Sequence, residues 1–195
     1  MSDLYRRENV LALLHEYTES EALRRHGYAV EAAMRAYARR FGEDADTWAV
    51  VGLLHDFDYE RYPDAENHPF RGAEELRRRG LDETLVRAIL AHASYTGVPR
   101  DTLVAKTLFA VDELVGLITA AALVTPDKKL AAVGVRSVIK KMKDKAFARA
   151  IDRGHITGGA ELLGVDLDEH IQFVIDAMTA NAEELGLQGV PANGA

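Results

Sequence analysis

Cysteine is absent from the 195-residue chain, which excludes disulfide bonds and thiolate ligands. Any metal ion must therefore be held by histidine, aspartate or glutamate. A Gly-x-Ser-x-Gly turn is missing as well, so the sequence offers no nucleophile elbow of the hydrolase type.

Long apolar runs are also missing, since no stretch approaches the roughly 18 residues that a membrane-spanning helix needs. The first sixteen residues mix charges with apolar positions, and no small-residue cleavage site follows them. We therefore expect a soluble, cytoplasmic protein that does not bind membranes.

Positive charge is in the minority, with 24 Lys and Arg against 31 Asp and Glu and a net charge of -7. This balance argues against a general nucleic-acid binder. Hydrophobic residues make up 48% of the chain, which is enough for a sizeable core. The oligomeric state remains open, and a homo-oligomer is possible.

Apolar residues recur at helical spacing along the chain, whereas strand alternation and internal repeats are missing. Ser20 and Gly42 are typical of the first and last caps of a long helix over residues 21–41. Asp101 is expected to cap another long helix that reaches about residue 124. The pattern predicts an all-α fold with further helices over residues 9–17, 45–55, 69–80, 83–92, 135–145, 147–153, 159–163 and 168–185.

The most informative stretch is the apolar run 50–54, which ends in His55 and Asp56. Imidazole and carboxylate are the ligands that borderline divalent metals take from proteins. Such a pair alone also fits an ordinary helix end. Asp112 strengthens the metal interpretation, because a carboxylate within an apolar helix is costly without a partner.

Histidines on other helices add to this pair. His26 and His92 lie on or beside apolar faces, and His68 comes just before Pro69 at the start of a helix. A helical bundle can direct ligands from separate helices to one point. Asp56 has two carboxylate oxygens and is the better candidate to bridge two ions. Alternatively, neither histidine binds metal: His68 would be a helix cap and His92 a hydrogen-bonded core residue. The candidate ligands are His26, His55, Asp56, His68, His92 and Asp112.

The order His, His-Asp, Asp in this set resembles the HD-domain superfamily of metal-dependent phosphohydrolases. The sequences around His55-Asp56 and around Asp112-Glu113 are both similar to that superfamily. The resemblance implies an HD-domain-like helical bundle in which His26, His55, Asp56 and Asp112 hold a divalent metal. It implies a core over residues 20–125. Outside that core we expect an N-terminal helix within 1–19 and a C-terminal helical extension over 126–186, both packed on it, and a flexible tail over 187–195, which contains Gly, Pro and Asn.

His68 and His92 are similar to the additional histidines of members that hold two metals. The resemblance then implies a second ion bound by His68, His92 and a bridging Asp56. The metal itself stays open among Mn, Fe, Co, Ni, Mg and Zn, because affinities at most sites follow one general order.

The implied activity is hydrolysis of a phosphate ester, nucleotide-like in many members, by a metal-activated water. Asp56 is a catalytic candidate, and Asp58 and Glu60 could orient the water or protonate the leaving group. Asp58 and Glu60 stand at the second and fourth positions after Asp56, so they depart from the His-Asp-x-x-Glu pattern of some members. The alternative is that both belong to a solvated acidic loop. The candidate phosphate contacts are Lys106, Lys140 and Lys141, for which a solvated helix face is the alternative.

Two other functions remain open at this point. Some members with six ligands hold two irons and use O2, so a di-iron oxygenase fits the same residues. A nucleotide-binding sensor without turnover is disfavoured, because all six ligands are present. The other histidines, which we expect to be structural or at the surface, are His15, His155 and His170.

Overall fold

The computed structural model describes residues 3–189 and confirms the predicted all-α fold. Over these residues, β structure is limited to one isolated bridge between Lys129 and Gln188. The helices are α1 (Arg7–Tyr17), α2 (Glu21–Phe41), α3 (Ala45–Leu54), α4 (Phe70–Arg78), α5 (Glu83–His92), α6 (Leu103–Leu123), α7 (Val135–Lys143), α8 (Arg153–Leu163) and α9 (Leu167–Thr179).

Helix ends with strong capping residues fall where the sequence places them. Ser20 Oγ accepts the backbone N–H of Leu23, and Gly42 ends α2 in the left-handed conformation with φ of 74°. The prediction that Asp101 caps α6 was wrong by one residue. Thr102 caps α6 instead, because its side chain accepts the N–H of Ala105.

The predicted helix over residues 147–153 was also wrong, since that segment consists of turns and α8 begins at Arg153. Ala148 has φ of 43°, which an α-helix cannot contain. The Arg153 guanidinium donates to the carbonyl oxygens of Ala148 and Ile151 at 2.7 and 2.6 Å. These bonds use acceptors that a continuing helix would need for its own N–H groups.

Two glycines allow α2 and α3 to cross closely. A Cβ on Gly52 would lie 2.9 Å from the backbone of Glu31, and a Cβ on Gly27 would lie 3.3 Å from the carbonyl oxygen of Leu53. Any larger residue would therefore push the helices apart. The crossing brings the rings of His26 and His55 to 5.1 Å between centroids.

Helix α6 runs through the centre of the molecule and packs against α2, α5 and α8. The C-terminal helices join this core through His170 of α9, which is fully buried. Its Nδ1 lies 2.5 Å from the Tyr37 hydroxyl on α2, and its Nε2 lies 2.9 Å from the carbonyl oxygen of Ala110 on α6. The imidazole thus links three helices.

The first part of the predicted tail lies against the fold. Leu187 is buried, and its carbonyl oxygen accepts the N–H of Leu130 at 3.0 Å. Residues 190–195 of that predicted tail lie outside the described residues. Across residues 3–189, none of the helices combines the length and apolar character required to span a bilayer.

Candidate metal centre

The six candidate ligands come together as two adjoining groups. One contains His26, His55 and Asp112, and the other contains Asp56, His68 and His92. Within each group, the possible ligand atoms all lie within 4.8 Å of one another. The residues come from α2, the end of α3, the segment before α4, the end of α5 and α6.

The spacing of these atoms suits a shared ion. Ligand atoms about 2.1 Å from one metal lie roughly 3.0–3.4 Å apart at octahedral or tetrahedral angles. In the first group, Asp112 Oδ1 lies 3.0 Å from His26 Nε2 and 3.4 Å from His55 Nε2. In the second, Asp56 Oδ1 lies 3.3 Å from His68 Nε2 and 3.2 Å from His92 Nε2.

Asp56 faces both groups. Its Oδ1 belongs to the second group, while its Oδ2 lies 3.4 Å from His55 Nε2 in the first. One carboxylate therefore directs one oxygen to each side, which is the arrangement that a bridging ligand requires.

His55 gives an independent test of fit for a metal. Its side chain is fully buried, and its Nε2 has no hydrogen-bond partner in the described residues, although two carboxylates stand 3.4 Å away. A buried polar atom without a partner is costly. A divalent cation between these oxygens and Nε2 would satisfy it, so the donor set fits a metal ion.

Helix ends fix the orientation of two imidazoles. His55 Nδ1 lies 2.9 Å from the carbonyl oxygen of Gly52, and His92 Nδ1 lies 2.5 Å from that of Ile89. Carbonyls in a last helical turn lack intrahelical donors, so a histidine three residues later can donate Nδ1–H to them. This leaves Nε2 free to bind a metal. A histidine at the end of a predicted helix is visible in the sequence, and this signal could have identified the orientation of both rings.

Asp58 corrects another expectation. It is buried rather than solvated, with Oδ1 2.8 Å from His68 Nδ1 and Oδ2 accepting the backbone N–H of Gly72 at 2.7 Å. Because both oxygens are bonded and the side chain is buried, Asp58 does not fit the expected role of orienting water or protonating a leaving group. Asp58 instead holds the His68 ring with Nε2 towards Asp56.

Glu60 also lies elsewhere than expected. Its side chain is exposed, and Oε2 accepts the backbone N–H groups of Glu19 and Ser20 at 2.7 and 3.0 Å. It thus secures the loop after α3 to the start of α2, and the expected role at the reacting group does not fit this position.

Within residues 3–189, no hydrogen bond or ion pair joins the three lysines to the candidate ligands. Lys106 is half-buried on α6, Lys140 is exposed on α7, and Lys141 Nζ lies 4.0 Å from the centre of the Phe147 ring. The remaining histidines lie outside both groups: His15 with its Nε2 2.6 Å from the Tyr28 hydroxyl, His155 packed on Phe109, and the buried His170.

The carboxylates make this centre strongly attractive to cations. Burial by itself lowers the pKa of His55, but the charges of Asp56 and Asp112 outweigh it and raise the pKa well above its usual value. Burial likewise opposes protonation of His68, yet its bonds to Asp56 and Asp58 raise its pKa to about 9. A metal ion can supply the positive charge that these protons otherwise provide.

The open side of the centre is lined by the carboxylates. The side chains of Asp56 and Asp112 are 27% and 19% exposed, whereas His55 is 0% exposed. Glu113 is half-buried beside Asp112, and burial together with the Asp112 charge raises its pKa to about 7. A substrate can therefore approach from the side where Asp56 and Asp112 reach the surface.

Comparison with known families agrees with this geometry. Residues 23–117 match the family model of the HD domain, a segment that includes all six residues of the two groups. Comparisons with curated proteins and with solved structures gave no match. The arrangement of the ligands and the family match lead to the same conclusion: residues 23–117 of this chain form an HD domain.

Proposed function

We propose that this protein is a phosphohydrolase that uses two divalent metal ions to hydrolyse a phosphate ester. The observation that carries the proposal is the pair of adjoining ligand groups joined by the two oxygens of Asp56. Two cations a few ångströms apart suit a phosphoryl group, whose charge is spread over several oxygens. The open side gives a phosphorylated small molecule, such as a nucleotide, access to both.

The ligand assignment follows from the two groups. His26, His55 and Asp112, together with Asp56 Oδ2, would hold one ion, and His68, His92 and Asp56 Oδ1 the other. When bound, such ions polarise the phosphoryl oxygens and lower the pKa of water to near neutrality.

The remaining contacts of the centre serve to hold its ligands still. Asp58 fixes His68, and the carbonyl oxygens of Gly52 and Ile89 fix His55 and His92. These contacts engage the Nδ1 atom of each ring, so that Nε2 is the atom turned towards a metal. The ligands therefore need little rearrangement when ions and substrate bind.

The experiment is a screen of metals against substrates. Protein stripped of metal is reloaded with Mn, Fe, Co, Ni, Mg or Zn and assayed for phosphate release from nucleoside mono-, di- and triphosphates, cyclic nucleotides and a generic phosphate ester. His55→Ala, which removes a ligand from the first group, serves as the inactive control. We expect release with at least one metal and its loss in the variant.

Two outcomes would contradict the proposal. Equal turnover by His55→Ala would mean that the centre is not where phosphate is released. Absence of release with every metal, together with O2 uptake by the iron-loaded protein, would instead favour the di-iron oxygenase.

A further inference from the structure

Arg100 lies in the connection between α5 and α6, next to the end of α5 that carries His92. Its Nη2 donates to Ser94 Oγ at 2.8 Å and to the carbonyl oxygen of His92 at 3.4 Å. His92 belongs to the second ligand group, with Nε2 3.2 Å from Asp56 Oδ1. The guanidinium is thus bonded directly to the backbone of a candidate ligand.

The charge of Arg100 is not neutralised by a carboxylate. Among residues 3–189 its polar contacts are a hydroxyl and a carbonyl oxygen, while Arg35 and Arg79, for comparison, each pair with glutamate. Burial lowers the pKa of Arg100, with no acidic neighbour acting against it. Its Nε is buried without an acceptor in the described part of the chain. The half-buried guanidinium therefore carries a charge that no described carboxylate balances.

The Phe109 ring packs against the guanidinium. Arg100 Cζ lies 3.7 Å from the centre of the Phe109 ring, and the same ring also contacts His155, at 4.7 Å between centroids. His155 Nε2 lies 3.3 Å from Ser94 Oγ, which closes the cluster. Phe109 precedes Asp112 by about one turn of α6. Arg100 therefore contacts a neighbour of Asp112, which is in the first ligand group, and the backbone of His92, which is in the second.

We propose that Arg100 binds a phosphoryl oxygen of the substrate at the metal centre. The planar guanidinium matches the oxygens of a tetrahedral oxyanion better than an ammonium does. This inference rests on the proposed phosphohydrolase function, and it assigns to an arginine the contact expected of Lys106, Lys140 and Lys141. His155, part of the same cluster, belongs to α8 and lies beyond the matched residues 23–117. The C-terminal helices therefore help to shape this subsite.

The test measures binding of inorganic phosphate to the manganese-loaded protein by titration calorimetry. Arg100→Gln removes the charge, Arg100→Lys keeps it without the planar fork, and Arg87→Gln removes an exposed arginine of α5 as the matched control. Charge-assisted hydrogen bonds predict about a 10- to 100-fold weaker phosphate Kd for Arg100→Gln, with a smaller loss for Arg100→Lys. The control should bind phosphate like the parent.

Further measurements separate this inference from its alternatives. Acetate is titrated in parallel, and an equal loss of acetate and phosphate binding would overturn the phosphoryl assignment. Metal content and Tm are expected to stay unchanged in Arg100→Gln. Loss of metal from that variant would mean that Arg100 only positions His92, which would also overturn the inference.

The same experiments distinguish failure of the proposed hydrolase function from failure of the Arg100 subsite. If the parent binds phosphate through Arg100 but releases none from any ester, the subsite stands and the hydrolase does not. If the parent hydrolyses an ester and Arg100→Gln keeps the same KM and phosphate Kd, the subsite is wrong and the hydrolase stands. A parent that binds no phosphate at millimolar concentration would also overturn the subsite.

Discussion

Asp58 uses one carboxylate oxygen for His68 and the other for the backbone of Gly72, and both bonds are buried. An amide at this position offers only one acceptor, because its second atom is a donor. In Asp58→Asn, either the Gly72 N–H or the His68 Nδ1–H therefore faces a donor. His68 can recover a hydrogen bond only by moving its proton to Nε2, which removes the atom that would bind metal.

We accordingly predict that Asp58→Asn weakens metal binding at the second group by about 10- to 100-fold. Metal content measured by mass spectrometry after dialysis should fall from two ions per chain to one. Asp168→Asn, at an exposed position of α9, is the control and should retain both. Two ions retained by Asp58→Asn would contradict the role given to this residue.

His170 is predicted to make stability depend on pH. Burial lowers its pKa from the usual value near 6.5, so as pH falls through 6.5 the unfolded chain takes up a proton that the folded chain resists. Its contribution is therefore intact above the usual pKa and is lost as the pH falls below it towards the lowered pKa of the folded state. His170→Phe should cost about 1–3 kcal/mol near pH 8, because Tyr37 and Ala110 lose their partner.

The measurement is Tm against pH for the metal-free parent and for His170→Phe. The difference between them should narrow as the pH falls below about 6.5, because the variant has no imidazole at this position to protonate. A difference that stays constant over this range would contradict the assignment of His170 as a neutral, buried link.

Among the helices, α8 depends on a close approach to α6. A Cβ on Gly159 would lie 2.5 Å from Ala110 Cα, whereas a Cβ on Gly158 would meet nothing within 4 Å. Gly159→Ala should therefore destabilise the protein by about 1–3 kcal/mol through overpacking. Gly158→Ala, its neighbour on the same helix, should gain up to about 1 kcal/mol from better helix propensity. Thermal unfolding measures both, and equal Tm values for the two variants would contradict this packing.

Features decided by nearby atoms could be predicted from the sequence, whereas features that depend on long-range contacts could not. Ser20 and Gly42 mark the ends of α2 correctly, because capping is a local interaction. The segment 147–153 was mispredicted because side-chain bonds from Arg153 stabilise turns there, and helical periodicity carries no sign of them. Similarly, the ligand types were evident in the sequence, but the contact between Asp58 and His68 depends on the path of the loop that joins them.

At the scale of the whole molecule, the metal centre joins segments that are far apart in sequence. His26 and Asp112 are 86 residues apart, yet His26 Nε2 and Asp112 Oδ1 lie within 3.0 Å. Ions that bind only the folded chain stabilise it, by about 2.7 kcal/mol at a free concentration about 100 times Kd. We therefore predict that chelation lowers the Tm and that adding back the divalent ion restores it. A Tm unaffected by chelation would contradict metal binding across these helices.

The proposed function depends above all on two ions occupying two groups that share Asp56. A crystal structure of the metal-loaded protein, with anomalous diffraction recorded at the absorption edge of the metal, would locate the ions directly. We predict two anomalous peaks, one among His26, His55 and Asp112 and one between His68 and His92, with Asp56 touching both. A single peak that contacts only the first group and Asp56, or peaks outside both groups, would contradict the dinuclear site.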